Sequence, residues 1–450
     1  METTAAPMMC DILIVDGLIL TLDPEGRVFV GGAVAITNDR IVSIGSTSDL
    51  TRDYTATKVI QAQGDIVMPG LVNSHNHTPL MVVRGMVEDL NFAPAYTPSI
   101  PQGHRLSAEE CYLLSRLGVY ELLRFGTTTV VDYYRHPKGC AQAIAEAGMR
   151  GFVGGRIHDA DPEQLCQGYW HYDAAIGDQT LQETLALIEQ WQGKANGRIQ
   201  CVLAPHAPDT CSKNLWQQVV ELSDQFPYTI HTHLAQSQAE VERVKAQTGY
   251  SPAELLDELG LLNDRLVAAH CIWLDPQEVD RIGKAGVRVA HVPVGNAASG
   301  TIAPAYDLYQ AGATLTLATD TKSGDMFEAM RMAIAVARIR GAEYDLKADD
   351  VLKWATVNGA DALGLSSDIG SLEPGKKADM LLLDSAAPNL CPFIEGTGLI
   401  VHSGAGANVK TVLIDGQVVL QDGQPTQFDG AEVVATAQQV ATRLWDLSRK

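Results

Sequence analysis

The sequence lacks the cysteine patterns of a disulfide framework or a zinc ribbon. Its eight cysteines are scattered and include no Cys-x-x-Cys pair, so we expect reduced and mostly buried thiols. It also lacks any run of about 18 apolar residues, the length that a membrane span requires. Residues 1–7 lack the basic and then apolar layout of a signal peptide. These absences predict a cytoplasmic protein that does not act in a membrane.

Basic residues are too few to balance the acidic ones. Among 450 residues, 33 Lys and Arg stand against 54 Asp and Glu, which gives a formal net charge of −21. An acidic surface repels phosphates, and this argues against nucleic acid or an anionic membrane as a partner. We therefore expect a small, neutral or cationic substrate. The 46% of hydrophobic residues, with 40 Gly and 20 Pro, indicates a globular enzyme with a large and a smaller domain.

Both ends of the chain have the pattern of small β-rich pieces. Runs of β-branched residues broken by Gly, Asp and Asn occur over 11–65, and similar runs return at 378–383 and 409–419. Between them, short apolar strands alternate with helical patterns such as the one over 108–124. About eight such strands in about 300 residues predict a parallel (β/α)8 barrel, and thus an α/β protein.

Histidines are concentrated at the ends of these predicted strands. His75 and His77 follow an apolar run and a Pro-Gly turn signal, and residues i and i+2 of a strand face the same side. Later strand ends carry His206, His233, His270, His291 and Asp320. Barrel active sites form at the C-terminal ends of the strands. Imidazole and carboxylate ligands suit Zn²⁺ with one position left for water, so this pattern predicts a hydrolase.

Seven motifs occur in order along nearly the whole chain: VMPGLVNSHNH (67–77), LLRFGTTT (122–129), APHAP (204–208), HTHL (231–234), AHC (269–271), ATD (318–320) and GSLEPGKKAD (370–379). Together they resemble the amidohydrolase superfamily, in the branch of s-triazine hydrolases, guanine deaminase and methylthioadenosine/S-adenosylhomocysteine deaminases. The resemblance implies a (β/α)8 TIM barrel over 67–368. A small β-sandwich would be built from both termini, with 1–66 as its N-terminal part and 369–450 as its C-terminal part plus a terminal helix. It also implies a homodimer or a larger homo-oligomer.

The resemblance further implies a mononuclear metal site. Its metal ligands are His75, His77, His233 and Asp320. Zn²⁺ is the expected ion, with Fe²⁺ and Mn²⁺ as alternatives. The catalytic residues are Asp320, which accepts a proton, His270, which hydrogen-bonds the activated water or the reacting group, and Gln236. The substrate contacts are His206, Gln236 and Asn296.

Four features depart from the family pattern. The deaminases carry Glu three residues after the strand-five ligand, where this chain has Gln236, and a glutamine can orient a substrate but cannot carry a proton. Glu240 and Glu242 on the next helix are interpreted as solvated surface charges. Asp209 replaces an aromatic residue, and the segments after His291 and Asp320 are short, which predicts a substrate other than the familiar nucleosides. The segment 84–103, with Phe92 and Tyr96, is either a lid or a plain surface loop.

Two hydrolytic reactions therefore remain open. The motif set favours hydrolytic deamination of an aminated N-heterocycle of purine, pterin, pyrimidine or triazine type, in which a metal-activated water attacks an sp² carbon. Gln236 favours the alternative, hydrolysis of an amide, urea or carbamate C–N bond or hydrolytic dechlorination of a ring. The first reaction and the C–N hydrolyses belong to a metal-dependent amidohydrolase that acts on C–N bonds other than peptide bonds. The intact set of histidines and Asp320 argues against a non-enzymatic binding module.

Overall fold

The structure is a computed structural model that describes residues 6–89, 97, 100–101, 103–226, 228–321 and 323–448. Phe92 and Tyr96 of the segment interpreted as a lid or a loop lie outside these ranges. Within them, no helix has both the length and the apolar character needed to cross a membrane. All eight cysteines are free thiols and seven of them are buried, as the sequence predicts.

The strands run in chain order from the N-terminal piece through the central part to the C-terminal piece. They are β1 (Met8–Leu20), β2 (Val28–Thr37), β3 (Arg40–Ser46), β4 (Tyr54–Gln61), β5 (Ile66–Pro69), β6 (Leu71–Asn76), β7 (Thr127–Tyr134), β8 (Arg150–Ile157), β9 (Ile199–Cys201), β10 (Ala204–Pro205), β11 (Ile230–Leu234), β12 (Leu266–His270), β13 (Arg288–His291), β14 (Thr314–Leu317), β15 (Met380–Leu383), β16 (Val409–Ile414), β17 (Gln417–Gln421) and β18 (Gln424–Pro425).

Helices follow most of the central strands, and several begin at a Ser or Asp whose side chain caps the first turn, as Ser107 and Asp275 do. They are α1 (Thr47–Asp53), α2 (Ala108–Arg124), α3 (Pro137–Glu146), α4 (Pro162–Leu165), α5 (Ala174–Trp191), α6 (Lys213–Gln225), α7 (Gln238–Thr248), α8 (Pro252–Glu258), α9 (Pro276–Lys284), α10 (Pro293–Ala298), α11 (Ala305–Gln310), α12 (Met326–Ala337), α13 (Ala348–Trp354), α14 (Val357–Ala362), α15 (Gly396–Ser403) and α16 (Gly430–Ser448).

Strands from both ends of the chain join in one nine-stranded sheet, in the order β18-β17-β16-β15-β5-β1-β2-β3 with β4 paired to β1. The junction between the two ends is β5, which runs parallel to β1 and antiparallel to β15. Apolar side chains from both ends, such as Ile14, Val34 and Met380, form its core. The structure thus confirms that both termini contribute to one β unit. The division of the chain at 66/67 and 368/369 stays a prediction.

The central strands form two parallel sheets that meet at both edges. One sheet contains β6, β7 and β8 with β9 and β10, and the other contains β11 to β14. Isolated parallel bridges join Leu203 to Ile230 at one edge and Asn76 to Asp320 at the other. This gives eight strand positions with their C-terminal ends on one side, the arrangement of the predicted α/β barrel.

A buried ion network fastens the terminal sheet to the central strands. Arg150, at the start of β8, donates from Nε and Nη2 to Asp379 at 3.1 and 3.0 Å, and from Nη2 to Asp415 at 2.6 Å. All three residues are buried. The amide of Asp415 also donates to Asp379 Oδ1 at 2.8 Å. The guanidinium therefore neutralises two carboxylates that lie away from solvent.

Replacing Arg150 with Met should destabilise the protein strongly. Two buried carboxylates would lose their main cation, which costs about 3–5 kcal/mol for a broken buried pair. Urea unfolding should report this loss. The control is Arg52→Met, since Arg52 pairs with Asp49 on an exposed helix and should contribute less than about 1 kcal/mol. Equal effects of the two substitutions would contradict the structural role of the network.

Candidate metal centre and active site

Four side chains converge at the C-terminal ends of the central strands. His75 lies on β6 and His77 directly follows it, His233 comes from β11, and Asp320 lies just beyond β14. The Nε2 atoms of His75 and His77 are each 3.6 Å from Oδ1 of Asp320. The Nε2 atoms of His77 and His233 are 3.3 Å apart. The three histidines are buried and Asp320 is partly buried.

Hydrogen bonds to the backbone fix which ring nitrogens carry protons. Nδ1 of His77 donates to the carbonyl of Tyr133 at 2.7 Å, and Nδ1 of His233 donates to the carbonyl of His206 at 2.6 Å. Burial lowers the pKa of His77 to about 3 and lowers the pKa of His233 strongly, so both rings are neutral. Each Nε2 then presents a lone pair, and the 3.3 Å approach between them is no hydrogen bond.

This geometry fits a divalent metal ion. Lone pairs on His77 and His233 face each other beside the Asp320 carboxylate, and Nε2 of His75 is buried without a hydrogen-bond partner among the described residues. These nitrogen and oxygen atoms repel one another unless a cation lies between them. Three imidazole nitrogens and one carboxylate oxygen suit first-row divalent metals. Backbone acceptors behind His77 and His233 orient the rings, as in other metal sites.

Asp320 is held by the contact that joins β6 to the end of β14. Its amide donates to the carbonyl of His75 at 3.0 Å, and Nδ2 of Asn76 donates to its carbonyl at 2.6 Å. Nδ2 of Asn76 also donates to Oγ1 of Thr319 at 3.0 Å. These bonds support a backbone φ of 57° at Asp320, a left-handed conformation that costs of order 1 kcal/mol in a residue other than glycine. The Asp320 carboxylate is thus positioned by the joining of β6 to β14.

His270 faces the same site because its backbone interrupts the strand pattern. Leu266 and Ala268 of β12 pack in the outer core, and strict alternation would place His270 there as well. A φ of 72° turns its ring inward, where it stacks on His233 with the ring centroids 5.4 Å apart. Its Nδ1 donates to Oδ1 of Asn296 at 3.0 Å. In the neutral ring, Nε2 is then free to accept a proton.

The residues predicted to contact substrate lie around these groups. The ring of His206 is 4.7 Å from that of His233, and its Nδ1 lies 2.7 Å from Oγ1 of Thr210. The side-chain amide nitrogens of two of these residues, Nε2 of Gln236 and Nδ2 of Asn296, are buried and have no hydrogen-bond partner within the described part of the chain. An amide donor buried in this way is costly unless a ligand or water accepts from it. Both are therefore available to a polar substrate.

The interpretation of Glu240 as a solvated charge is wrong. The residue is 1% exposed, and its two carboxylate oxygens accept from the amides of Ala235 and Gln236, each at 2.8 Å. Burial raises its pKa, as does repulsion from Asp209, a second buried acid whose pKa rises to about 6 mainly through burial. The spacing Ser237-x-x-Glu240 is that of a capping box and could have indicated a carboxylate turned toward the backbone. Glu242 is exposed, as expected.

Two further histidines at strand ends lie outside the cluster. Nε2 of His231 lies 3.0 Å from Oγ1 of Thr229, toward the N-terminal end of β11. His291 is on the side of β13 that faces the helices, and its ring meets Trp354 edge to face at a centroid distance of 6.5 Å. Of the HTHL motif, the second histidine is thus the one beside His77. Neither His231 nor His291 belongs to a possible metal-binding group of the described residues.

Comparisons with known proteins place these features in a family context. The model of the amidohydrolase family matches residues 66–419. The chain is 34% identical over 444 residues to 5'-deoxyadenosine deaminase of Methanosarcina mazei, an alignment that covers 97% of this chain and 99% of the relative. It is 35% identical over 435 residues to 5-methylthioadenosine/S-adenosylhomocysteine deaminase of Moorella thermoacetica, with 95% and 98% covered.

A solved structure with the same architecture contains a metal. It is the crystal structure of an adenosine deaminase from Xanthomonas campestris with bound zinc, which superposes with a TM-score of 0.88 at 30% identity. The match covers 98% of this chain and 99% of that chain. The α/β fold inferred from sequence is therefore confirmed.

Removing one imidazole should cost the protein its metal. His233→Ala deletes a nitrogen that lies 3.3 Å from Nε2 of His77, and the loss of one of four donors should weaken metal binding, so that after dialysis against a chelator the variant retains far less metal than the wild type. Elemental analysis of the purified protein measures this. The control is His402→Ala, an exposed histidine of α15, which should keep the wild-type content. Full metal content in His233→Ala would exclude His233 as a ligand.

Proposed function

The chain belongs to the amidohydrolase family, and from that premise we propose that it hydrolyses the exocyclic amine of an aminated N-heterocycle and releases ammonia. As a member of this family it is a hydrolase that acts on C–N bonds other than peptide bonds. The observation that carries the proposal is the buried cluster of unprotonated imidazole nitrogens beside Asp320, with His270 against it. Water adds to the ring carbon, the bond to the amino group breaks, and a carbonyl forms.

We propose His75, His77, His233 and Asp320 as the ligands of one Zn²⁺ ion per chain. When bound, the ion supplies Lewis acidity that makes water a nucleophile near neutral pH. Fe²⁺ and Mn²⁺ accept the same donor set. The bonds from Nδ1 of His77 and His233 to backbone carbonyls hold both rings in the tautomer that this role requires.

The side chains divide the proton transfers between them. The Asp320 carboxylate lies within 3.6 Å of two imidazole nitrogens and accepts the proton that water loses. Ammonia leaves only after its nitrogen is protonated, so a second group must deliver a proton. Gln236 cannot do this. His270 can act as a relay: Asn296 holds the proton of the neutral ring on Nδ1, so Nε2 can take the water-derived proton from the nearby Asp320 and pass it to the leaving nitrogen.

The relatives favour an adenosine derivative as the substrate. Their names specify 5'-deoxyadenosine, methylthioadenosine and S-adenosylhomocysteine, all of which carry an amine on a purine ring. This favours a modified nucleoside over the unfamiliar substrate predicted from the short loops. The buried side-chain NH₂ groups of Gln236 and Asn296 match the ring nitrogens of an aminated purine, which accept hydrogen bonds.

The second candidate is hydrolysis of an amide, urea or carbamate bond, or displacement of a ring chloride. Gln236 favours it, since a chloride leaves without a proton from the protein. Turnover should be assayed on metal-loaded protein with 5'-deoxyadenosine, methylthioadenosine, adenosine, guanine, a pterin, an aminotriazine, a urea, an amide and a chlorinated triazine, by release of ammonia, amine or chloride. Ammonia from an aminated ring supports deamination, whereas turnover restricted to ureas, amides or chlorinated rings would replace it with the second candidate. A homodimer or larger oligomer in the cytoplasm stays a prediction.

Gln236→Glu should preserve or raise the rate of deamination. The carboxylate can deliver a proton to the leaving nitrogen, which the amide cannot. The measurement is kcat for ammonia release from the best substrate. A fall of more than roughly tenfold, or about 1.4 kcal/mol of barrier, would show that the glutamine amide itself is needed. Asp320→Ala is the reference for loss of turnover.

A further inference from the structure

The loops after β11 and β12 contain residues in backbone conformations that those residue types do not favour. Ala235 has a φ of 49°, and His270 and Cys271 have φ values of 72° and 51°. These are left-handed conformations at residues with a Cβ, and they persist only when neighbouring groups hold them. The first loop carries Gln236, and the second places His270 against His233. Something must therefore stabilise both loops.

The Glu240 carboxylate holds the first loop. Its Oε1 accepts from the amide of Ala235 and its Oε2 from the amide of Gln236, both at 2.8 Å. Glu240 is itself fixed at the start of α7, where its amide donates to the hydroxyl of Ser237 at 3.1 Å. These two N–H donors oppose the rise in pKa that burial and Asp209 cause, because each carboxylate oxygen accepts from an amide and so the ionised form is the one they stabilise. Hydrogen bonds from neutral amides to an ionised acceptor are among the stronger ones in proteins. The backbone amides of Ala235 and Gln236 are thus both held by the same carboxylate.

The loop after β11 in turn supports the loop after β12. The carbonyl of Ala235 accepts from the amides of Ile272 and Trp273 at 3.1 and 2.9 Å. The carbonyl of Leu234 accepts from the amide of Cys271 at 3.0 Å. The backbone that turns His270 inward therefore rests on the backbone that Glu240 fixes. One buried carboxylate thus supports two groups that follow the adjacent strands β11 and β12.

We infer that Glu240 is a positioning residue, whose carboxylate sets the place of Gln236 and, through the carbonyl of Ala235, the place of His270. The inference concerns residues of the proposed deamination and rests on that function for its kinetic consequence. A carboxylate is required because two amides donate to it. Glutamine would present one oxygen and one NH₂ group, and the NH₂ would face a donor.

The kinetic test is a double-mutant cycle with Gln236, on metal-loaded protein with 5'-deoxyadenosine. Glu240→Gln should lower kcat/KM about tenfold in the wild-type background and clearly less in Gln236→Ala, because residues that act through each other are not additive. The metal content should stay unchanged in all variants. The control is Glu254→Gln, which removes the corresponding acceptor of the Ser251 amide at the start of α8. Equal factors in both backgrounds would assign Glu240 a general structural role and overturn the inference.

A second measurement decides the inference without any turnover. Amide hydrogen exchange should accelerate at Ala235, Gln236, Ile272 and Trp273 in Glu240→Gln, and stay at the wild-type rate in Glu254→Gln. Glu240→Asp keeps the charge but is one methylene too short to reach both amides, so it should show the same acceleration in a folded protein. Wild-type exchange rates at Ala235 and Gln236 in both Glu240 variants would refute the inference that Glu240 holds this loop. Absence of deaminase activity with accelerated exchange would refute the proposed function alone.

Discussion

The rest of the site depends on one electrostatic constraint, the crowding of unprotonated imidazole nitrogens around a carboxylate in a buried place. Neutral histidines with lone pairs 3.3 Å apart repel each other. They stay together because the backbone carbonyls of Tyr133 and His206 accept hydrogen bonds from the Nδ1–H groups of His77 and His233 and fix the rings. The strands supply those carbonyls at their C-terminal ends. The barrel is therefore the means by which a repulsive set of donors becomes a binding site for a cation.

The sequence predicted the elements whose pattern is local. Helix α2 begins and ends at Ala108 and Arg124, as its periodicity and the Ser107 cap indicate. Strand β12 spans Leu266–His270, a short apolar run that begins after the polar residues 263–265. The last central strand is shorter than the run over 313–320, since β14 ends at Leu317. The bonds that hold Asp320 to β6 come from residues about 240 positions away, and no local pattern contains them.

The candidate site shows the same division between local and distant information. The i, i+2 spacing of His75 and His77 and the resemblance to the family brought the four proposed ligands together before any distance was known. Glu240 was misjudged because a charged residue on a polar helix face is usually solvated, and burial depends on loops that pack over it. Its partners Ala235 and Gln236 are near in sequence, yet the left-handed turn at Ala235 that directs their amides to it cannot be inferred from composition.

The junction between β5 and β6 determines how late during synthesis the terminal sheet can form. Only Gly70 separates the strand at the middle of the terminal sheet from the strand that carries His75, and β5 pairs on one side with β15 at 380–383. A growing chain on the ribosome contains the first histidines long before it contains their structural neighbour. The ribosome must therefore add more than 300 further residues before the sheet that leads into β6 can close.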